Sequence, residues 1–235
     1  MKKNQWYGVD HHPELLIGQY IVPNFVSNTV VIKTANHEYV VISPGEPLLK
    51  SFISQVSNDV QLHIIFPNAY HHMGVESWIK DYPSAKLYAS QTAIDQLIKK
   101  GVTKQVIEAL ESTQPPLPSG YDILLPPGHR AGDVWIRKQF NNQSTWITCD
   151  SFLNYERMSN QPIARFVQKR LDAAPGLKIS QVVKWFILND RQAFKSWVLA
   201  QIAQDNPTTL IPSHGEIRQA KDLPAQIRDL VSARL

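Results

Sequence analysis

Pro127-Gly128-His129-Arg130-Ala131-Gly132-Asp133-Val134-Trp135-Ile136, followed by Trp146-Ile147-Thr148-Cys149-Asp150-Ser151-Phe152, is the stretch that decides how the chain is read. Its first part is a glycine-punctuated turn between two apolar runs, Ile123-Leu124-Leu125 and Val134-Trp135-Ile136. The second is a short strand, Thr145-Trp146-Ile147-Thr148, joined to the previous one by Asn141-Asn142-Gln143-Ser144 as a turn. Each part sets a metal-ligating side chain, His129 or Asp150, just beyond the carboxyl end of an apolar run. That is the edge at which α/β sheets carry their ligand sites.

Working outward, residues 29–34 and 38–42 are β-branched runs around Ala35-Asn36-His37 and predict a hairpin. A helix is expected from Pro47 through Leu48, Leu49, Phe52 and Val56, then a strand over 60–66 that Pro67 stops. Val75, Trp78 and Ile79 predict a second helix, broken by Pro83. Lys86-Leu87-Tyr88-Ala89 reads as a strand, and Ser90 as the cap of a helix ended by Gly101. Residues 114–120 are a loop by composition. Further on, Ile179, Val182, Val183, Phe186 and Ile187 have the spacing of a core-facing helical stripe, as do Phe194, Trp197, Val198 and Ile202. A last strand over 208–211 precedes a helix carrying Leu223, Ile227, Leu230 and Val231. Strand and helix alternate as in α/β folds, and the pattern suggests one domain over residues 1–235 built from two similar halves.

Composition narrows the class. With 43% hydrophobic and 19% charged residues in 235, the chain can bury a large core, which disfavours disorder. The single Cys149 permits no internal disulfide and no all-thiolate zinc site. No apolar run follows Met1-Lys2-Lys3, so no signal peptide is read there. Stretches such as Tyr39-Val40-Val41-Ile42 fall short of the ~18 apolar residues of a membrane span. A soluble, cytoplasmic protein without a membrane partner is therefore expected. The net charge of +4 and pI of about 9.1 are not clearly concentrated. Arg165, Lys169, Arg170 and Lys178 form the densest group, with Asp172 among them. They read as a solvated surface, so a small-molecule substrate is expected rather than nucleic acid. Neither a Gly-rich phosphate loop nor a G-x-S-x-G elbow is present.

The eight histidines carry the chemistry. His71 and His72 come shortly after the strand ending at Phe66, and His214 follows Leu210-Ile211-Pro212-Ser213. With His129 and Asp150 they place imidazoles and a carboxylate after four separate apolar runs. These donors suit zinc, manganese or iron. His11, His12, His37 and His63 read as structural, Cys149 as a buried structural thiol, and the tryptophans as core.

The Pro127–Ile136 loop and the strand ending at Asp150 resemble the middle of the metallo-β-lactamase superfamily. There a P-G-H-x-x-G loop supplies a metal-binding His and a following strand ends in a metal-bridging Asp. Ser27-Asn28-Thr29-Val30-Val31-Ile32 and Val40-Val41-Ile42-Ser43-Pro44-Gly45 resemble the family's opening hairpin, with Ser43 where an Asp is common. Ile211-Pro212-Ser213-His214-Gly215-Glu216 resembles its final His-Gly loop. The likeness runs in order over residues 28–216 and departs at the signature H-x-H-x-D-H. When His72 is its last His, Pro67, Ala69 and His71 stand where the family has His, His and Asp.

The resemblance implies an α/β, four-layer αββα sandwich with His71, His72, His129, Asp150 and His214 at one sheet edge. Residues 155–181 would lie over the cleft entrance. One metal would keep only His129 and Asp150, too few for a tight site. The other would keep His72, Asp150 and His214, with His71 replacing the lost Asp. One divalent ion is therefore expected, zinc first, iron or manganese next. The implied activity is hydrolysis of a small ester, lactone, thioester or phosphate by metal-bound water, with Asp150 and His72 catalytic. The alternative is a non-catalytic relative that uses the cleft for binding or as a scaffold.

Overall fold

Two strands that the sequence reading left unassigned open the chain, β1 (Gln5–Val9) and β2 (His12–Val22), paired antiparallel. The computed structural model describes residues 4–9, 11–22, 25–34, 37–57 and 59–235. Ala35 and Asn36, read as part of the hairpin turn, lie outside the described residues. By contact density the chain forms two units, Met1–Val22 with Val26–Ser119, and Pro23–Phe25 with Gly120–Leu235.

In the first unit, β3 (Phe25–Lys33) and β4 (Glu38–Ile42) make the expected hairpin, with Val31 opposite Val41. β5 (Gln61–Ile65), β6 (Lys86–Ala89) and β7 (Ile107–Ala109) then add in parallel, in the order β3-β4-β5-β6-β7, and β2 also pairs β3. Parallel neighbours need crossover segments, and α1 (Glu46–Ile53), α2 (Val75–Asp81) and α3 (Gln91–Lys99) lie in the first, second and third crossovers respectively. Ser90 caps α3 as predicted, its side chain accepting from Ala93 N. Phe52 packs 4.9 Å from Trp78 by ring centroids, in a core with Val41, Ile64 and Leu87.

The second unit holds β8 (Tyr121–Leu124), β9 (Trp135–Phe140), β10 (Gln143–Ile147), β11 (Leu153–Tyr155), α4 (Pro162–Arg170), β12 (Gly176–Lys178), α5 (Arg191–Asp205), β13 (Pro207–Ile211), β14 (His214–Gly215), β15 (Arg218–Gln219) and α6 (Leu223–Arg234). One sheet runs β15-β13-β10-β9-β8, while β11 pairs β12 and β14. The β9–β10 turn is tighter than predicted. Asn141 and Asn142 both take positive φ, 48° and 60°, as a two-residue hairpin turn of the favoured hand requires. Trp135 lies between Trp146 and Phe194, with centroids 5.4 Å and 6.1 Å away.

The stripe at 179–187 is corrected. It is a π-helical turn over Val183–Ile187, in which Leu188 N donates to Val183 O at 2.9 Å. That i→i+5 bond widens the turn. Ile179, Val183 and Ile187 are buried, whereas Val182 and Phe186, expected in the core, are exposed. Among the described residues, no helix is long and apolar enough to cross a membrane.

Candidate metal centre

In the second unit, β10 and β13 are parallel neighbours with Ile147 opposite Ile211. Asp150 and His214 each follow three residues later, so strand register delivers both to the same sheet edge. His214 Nε2 stands 3.3 Å from Asp150 Oδ1, with both side chains partly exposed. Gly215 makes this placement possible. Its φ is +94°, and a Cβ there would sit 2.0 Å from Asn154 O, so only glycine lets β14 approach β11. Asn154 Nδ2 donates to Glu216 O at 2.8 Å, which ties down the loop beyond His214. Cys149 Sγ lies within 4.8 Å of the Asp150 carboxylate. Burial, reinforced by the charges of Asp150 and Asp133, pushes its thiol well above the ordinary range. It is therefore a protonated core residue, as the sequence suggested.

His129 lies deeper. Gly128 at φ +69° lets the loop pass Asp190, whose carbonyl oxygen would be 2.2 Å from an added Cβ. Gly128 O accepts from Asn189 N and Asp190 N at 3.0 and 3.3 Å. His129 Nε2 is 3.1 Å from Asp133 Oδ2, both side chains fully buried. The approach lacks hydrogen-bond directionality, and neither ring nitrogen has a hydrogen-bond partner. Asp133 accepts from Ser151 Oγ at 2.7 Å, and Ser151 accepts from Trp135 Nε1 at 3.2 Å. The sequence reading missed Asp133, although its i,i+4 spacing from His129 was a usable signal.

In the first unit, His71 and His72 occupy the loop after β5. Asn68, fully buried, accepts from Tyr70 N and His71 N at 2.8 and 3.2 Å and shapes the turn. His71 Nδ1 is 2.8 Å from Ser43 Oγ. Ser43 takes a left-handed φ of 53° just after β4, and its carbonyl accepts from Thr29 Oγ1 at 2.7 Å. Imidazoles that bind metals are commonly oriented by such a bond to the other nitrogen. Burial holds the His72 pKa below its ordinary value, with further lowering from Lys100 and His71, and so favours the neutral, ligating form. Ala69, standing where the family has a His, is fully buried, and its carbonyl accepts from Lys100 Nζ at 2.6 Å. Among the described residues, neither unit by itself gathers three ligating side chains within 4.8 Å of one another.

No family model matches the chain, and no curated protein matches it in sequence. Solved structures match its fold. It is similar to the flavodiiron core of a Synechocystis protein, with TM-score 0.67 and 12% identity over 97% of this chain, and it spans 60% of the length of that one. A metallo-β-lactamase from Hirschia baltica gives TM-score 0.64 at 12% identity over 98% of both chains. The metallo-β-lactamase FIM-1 from Pseudomonas aeruginosa, in its mono-zinc form, gives 0.62 at 12% identity over 97% of this chain and 95% of that one. The chain therefore has the metallo-β-lactamase fold, an α/β architecture with two sheets and helices.

Proposed function

We propose that the protein is a metal-dependent hydrolase holding one divalent ion on His72, Asp150 and His214, with His71 in the place of the motif's lost Asp. The observation that carries this reading is the Asp150–His214 pair at 3.3 Å, delivered by the register of β10 and β13. The 2.8 Å contact between His71 Nδ1 and Ser43 Oγ supports it, because in the tautomer whose Nδ1–H donates to the hydroxyl the ring is fixed and Nε2 keeps its lone pair for a metal. The donor set of nitrogen and carboxylate oxygen suits zinc first, then iron or manganese. When bound, such an ion acidifies water and polarises an ester, lactone, thioester or phosphate oxygen. Asp150 contributes negative charge, and His72 is held neutral by burial.

The motif loop argues for one ion rather than two. Pro67 and Ala69 offer no ligand atoms, and Lys100 places a fixed positive charge on the same loop, which opposes a second dication. His129, fifth of the expected residues, is left outside this ligand set, its ring fully buried beside Asp133. Elemental analysis with zinc titration tests the reading. One equivalent in the wild type, lost in Asp150→Ala, together with turnover of at least one of a panel of chromogenic esters, lactones, thioesters and phosphates, is expected. No uptake would overturn it.

The Lys100 contact also favours a second reading, a binding protein without chemistry. That reading requires His72→Ala and Asp150→Ala to leave ligand binding intact, with no turnover in the wild type.

A further inference from the structure

The segment between Arg157 and Arg191 carries the most exposed of the large apolar side chains in the second unit. Ile163 and Phe166 on α4 are 79% and 69% exposed, and Trp185 and Phe186 on the π-helical turn are 57% and 67% exposed. The two segments that carry them are tied together by a backbone bond. Gln181 N, just before the π turn, donates to Leu171 O, just after α4, at 2.8 Å. Two adjacent exposed aromatics are the product of the π turn itself, since a regular helix with this spacing would have buried Phe186. π turns recur at functional sites.

The charge around these side chains is one-sided. Residues 157–191 contain seven Lys or Arg and two acids. Both acids are already engaged. Asp172 is bridged by Lys178 and Arg234 at 3.1 Å each, and Asp190 caps α5 by accepting from Ala193 N at 2.9 Å. Arg165, Lys169 and Arg170 stand exposed on α4 beside Phe166. The Arg191 guanidinium lies 4.5 Å from the Trp185 ring centre and Lys184 Nζ lies 5.3 Å from it.

From this arrangement we infer that the α4 and π-turn face docks peripherally on an anionic lipid bilayer. Apolar side chains enter the acyl boundary, Trp185 sits at headgroup level, and the cations meet the anionic headgroups. A second copy of the chain fits less well, because a two-fold contact would set this cationic patch against itself. Aliphatic Ile163, with no ladder of aromatics at base spacing, fits lipid better than RNA.

The test is co-sedimentation of the full chain with vesicles of phosphatidylcholine alone or mixed with phosphatidylglycerol, read beside tryptophan fluorescence. Binding should need the anionic lipid, weaken with salt, and drop about fivefold for each charge removed in Lys169→Gln and Arg170→Gln. Phe166→Ser should weaken it too, and the blue shift on binding should vanish in Trp185→Phe while most binding remains. These are surface positions, so unchanged circular dichroism will show that the variants fold. Absence of binding, equal binding to neutral vesicles, or an effect of these variants only on self-association or RNA binding would overturn the proposal.

Discussion

Removing the Ser43 hydroxyl separates metal affinity from stability. Ser43 is buried, holds His71 Nδ1 at 2.8 Å, and sits at φ 53°, a conformation unfavourable to any residue with a Cβ. Ser43→Ala loses the hydrogen bond, about 1 kcal/mol net, and keeps the backbone strain, so a loss of roughly 1–2 kcal/mol is expected. Ser43→Gly loses the same bond but recovers about 1–2 kcal/mol of left-handed strain. Its greater unfolded-state entropy takes back about 0.5–1 kcal/mol. Ser43→Gly should therefore fold within about 1 kcal/mol of the wild type. Both variants lose the group that orients His71, and both should bind zinc about 10–100-fold more weakly. The assays are urea unfolding for stability and competition with a chromogenic chelator for zinc. Wild-type zinc affinity in both variants, or affinity that simply follows stability, would refute the reasoning.

Three further outcomes follow from the same structure. Burial holds the His63 pKa below its ordinary 6.5 against the opposing pull of Glu38, so the unfolded chain takes the proton more readily. The contribution of His63 is present above about pH 6.5 and is lost as pH falls through the folded value; His63→Gln should flatten the fall in urea midpoint between about pH 7 and 5. Asp205 is a fully buried carboxylate accepting from Arg137 Nη1 at 2.7 Å and Trp146 Nε1 at 3.1 Å. Asp205→Ala orphans Trp146 Nε1 and takes one carboxylate from Arg137; it should cost about 3 kcal/mol in urea unfolding, below the top of the range for broken buried pairs because Arg137 keeps Asp122 at 2.7 Å. Gly215→Ala would force its Cβ against Asn154 O, 2.0 Å away, so β14 should part from β11 and zinc uptake should fall more than the melting temperature alone explains.

Much of this was legible because local chemistry and fold agree. Lys86-Leu87-Tyr88-Ala89 is β6 residue for residue, and Ser90 followed by an apolar stripe carried its own cap. Asp150 and His214 were legible as candidates because each follows an apolar strand, and strand register then sets both at one edge. The π turn was not legible, since Val182-Val183-Lys184-Trp185-Phe186-Ile187 satisfies an ordinary helical stripe equally well. The β1–β2 pair was missed because Leu15-Leu16-Ile17-Gly18 runs apolar without alternation. In sequence Ser43 shows only as a residue standing where the resembled family commonly has an Asp. Its role depends on a left-handed backbone angle and a partner 28 residues away, which no local pattern records.

Anomalous diffraction at the zinc edge, from crystals grown with zinc, tests the central claim most directly. One peak bonded to His72, Asp150 and His214, with His71 as the fourth protein ligand, is the predicted result. No peak at these residues, or two peaks with the second on His129, would contradict it.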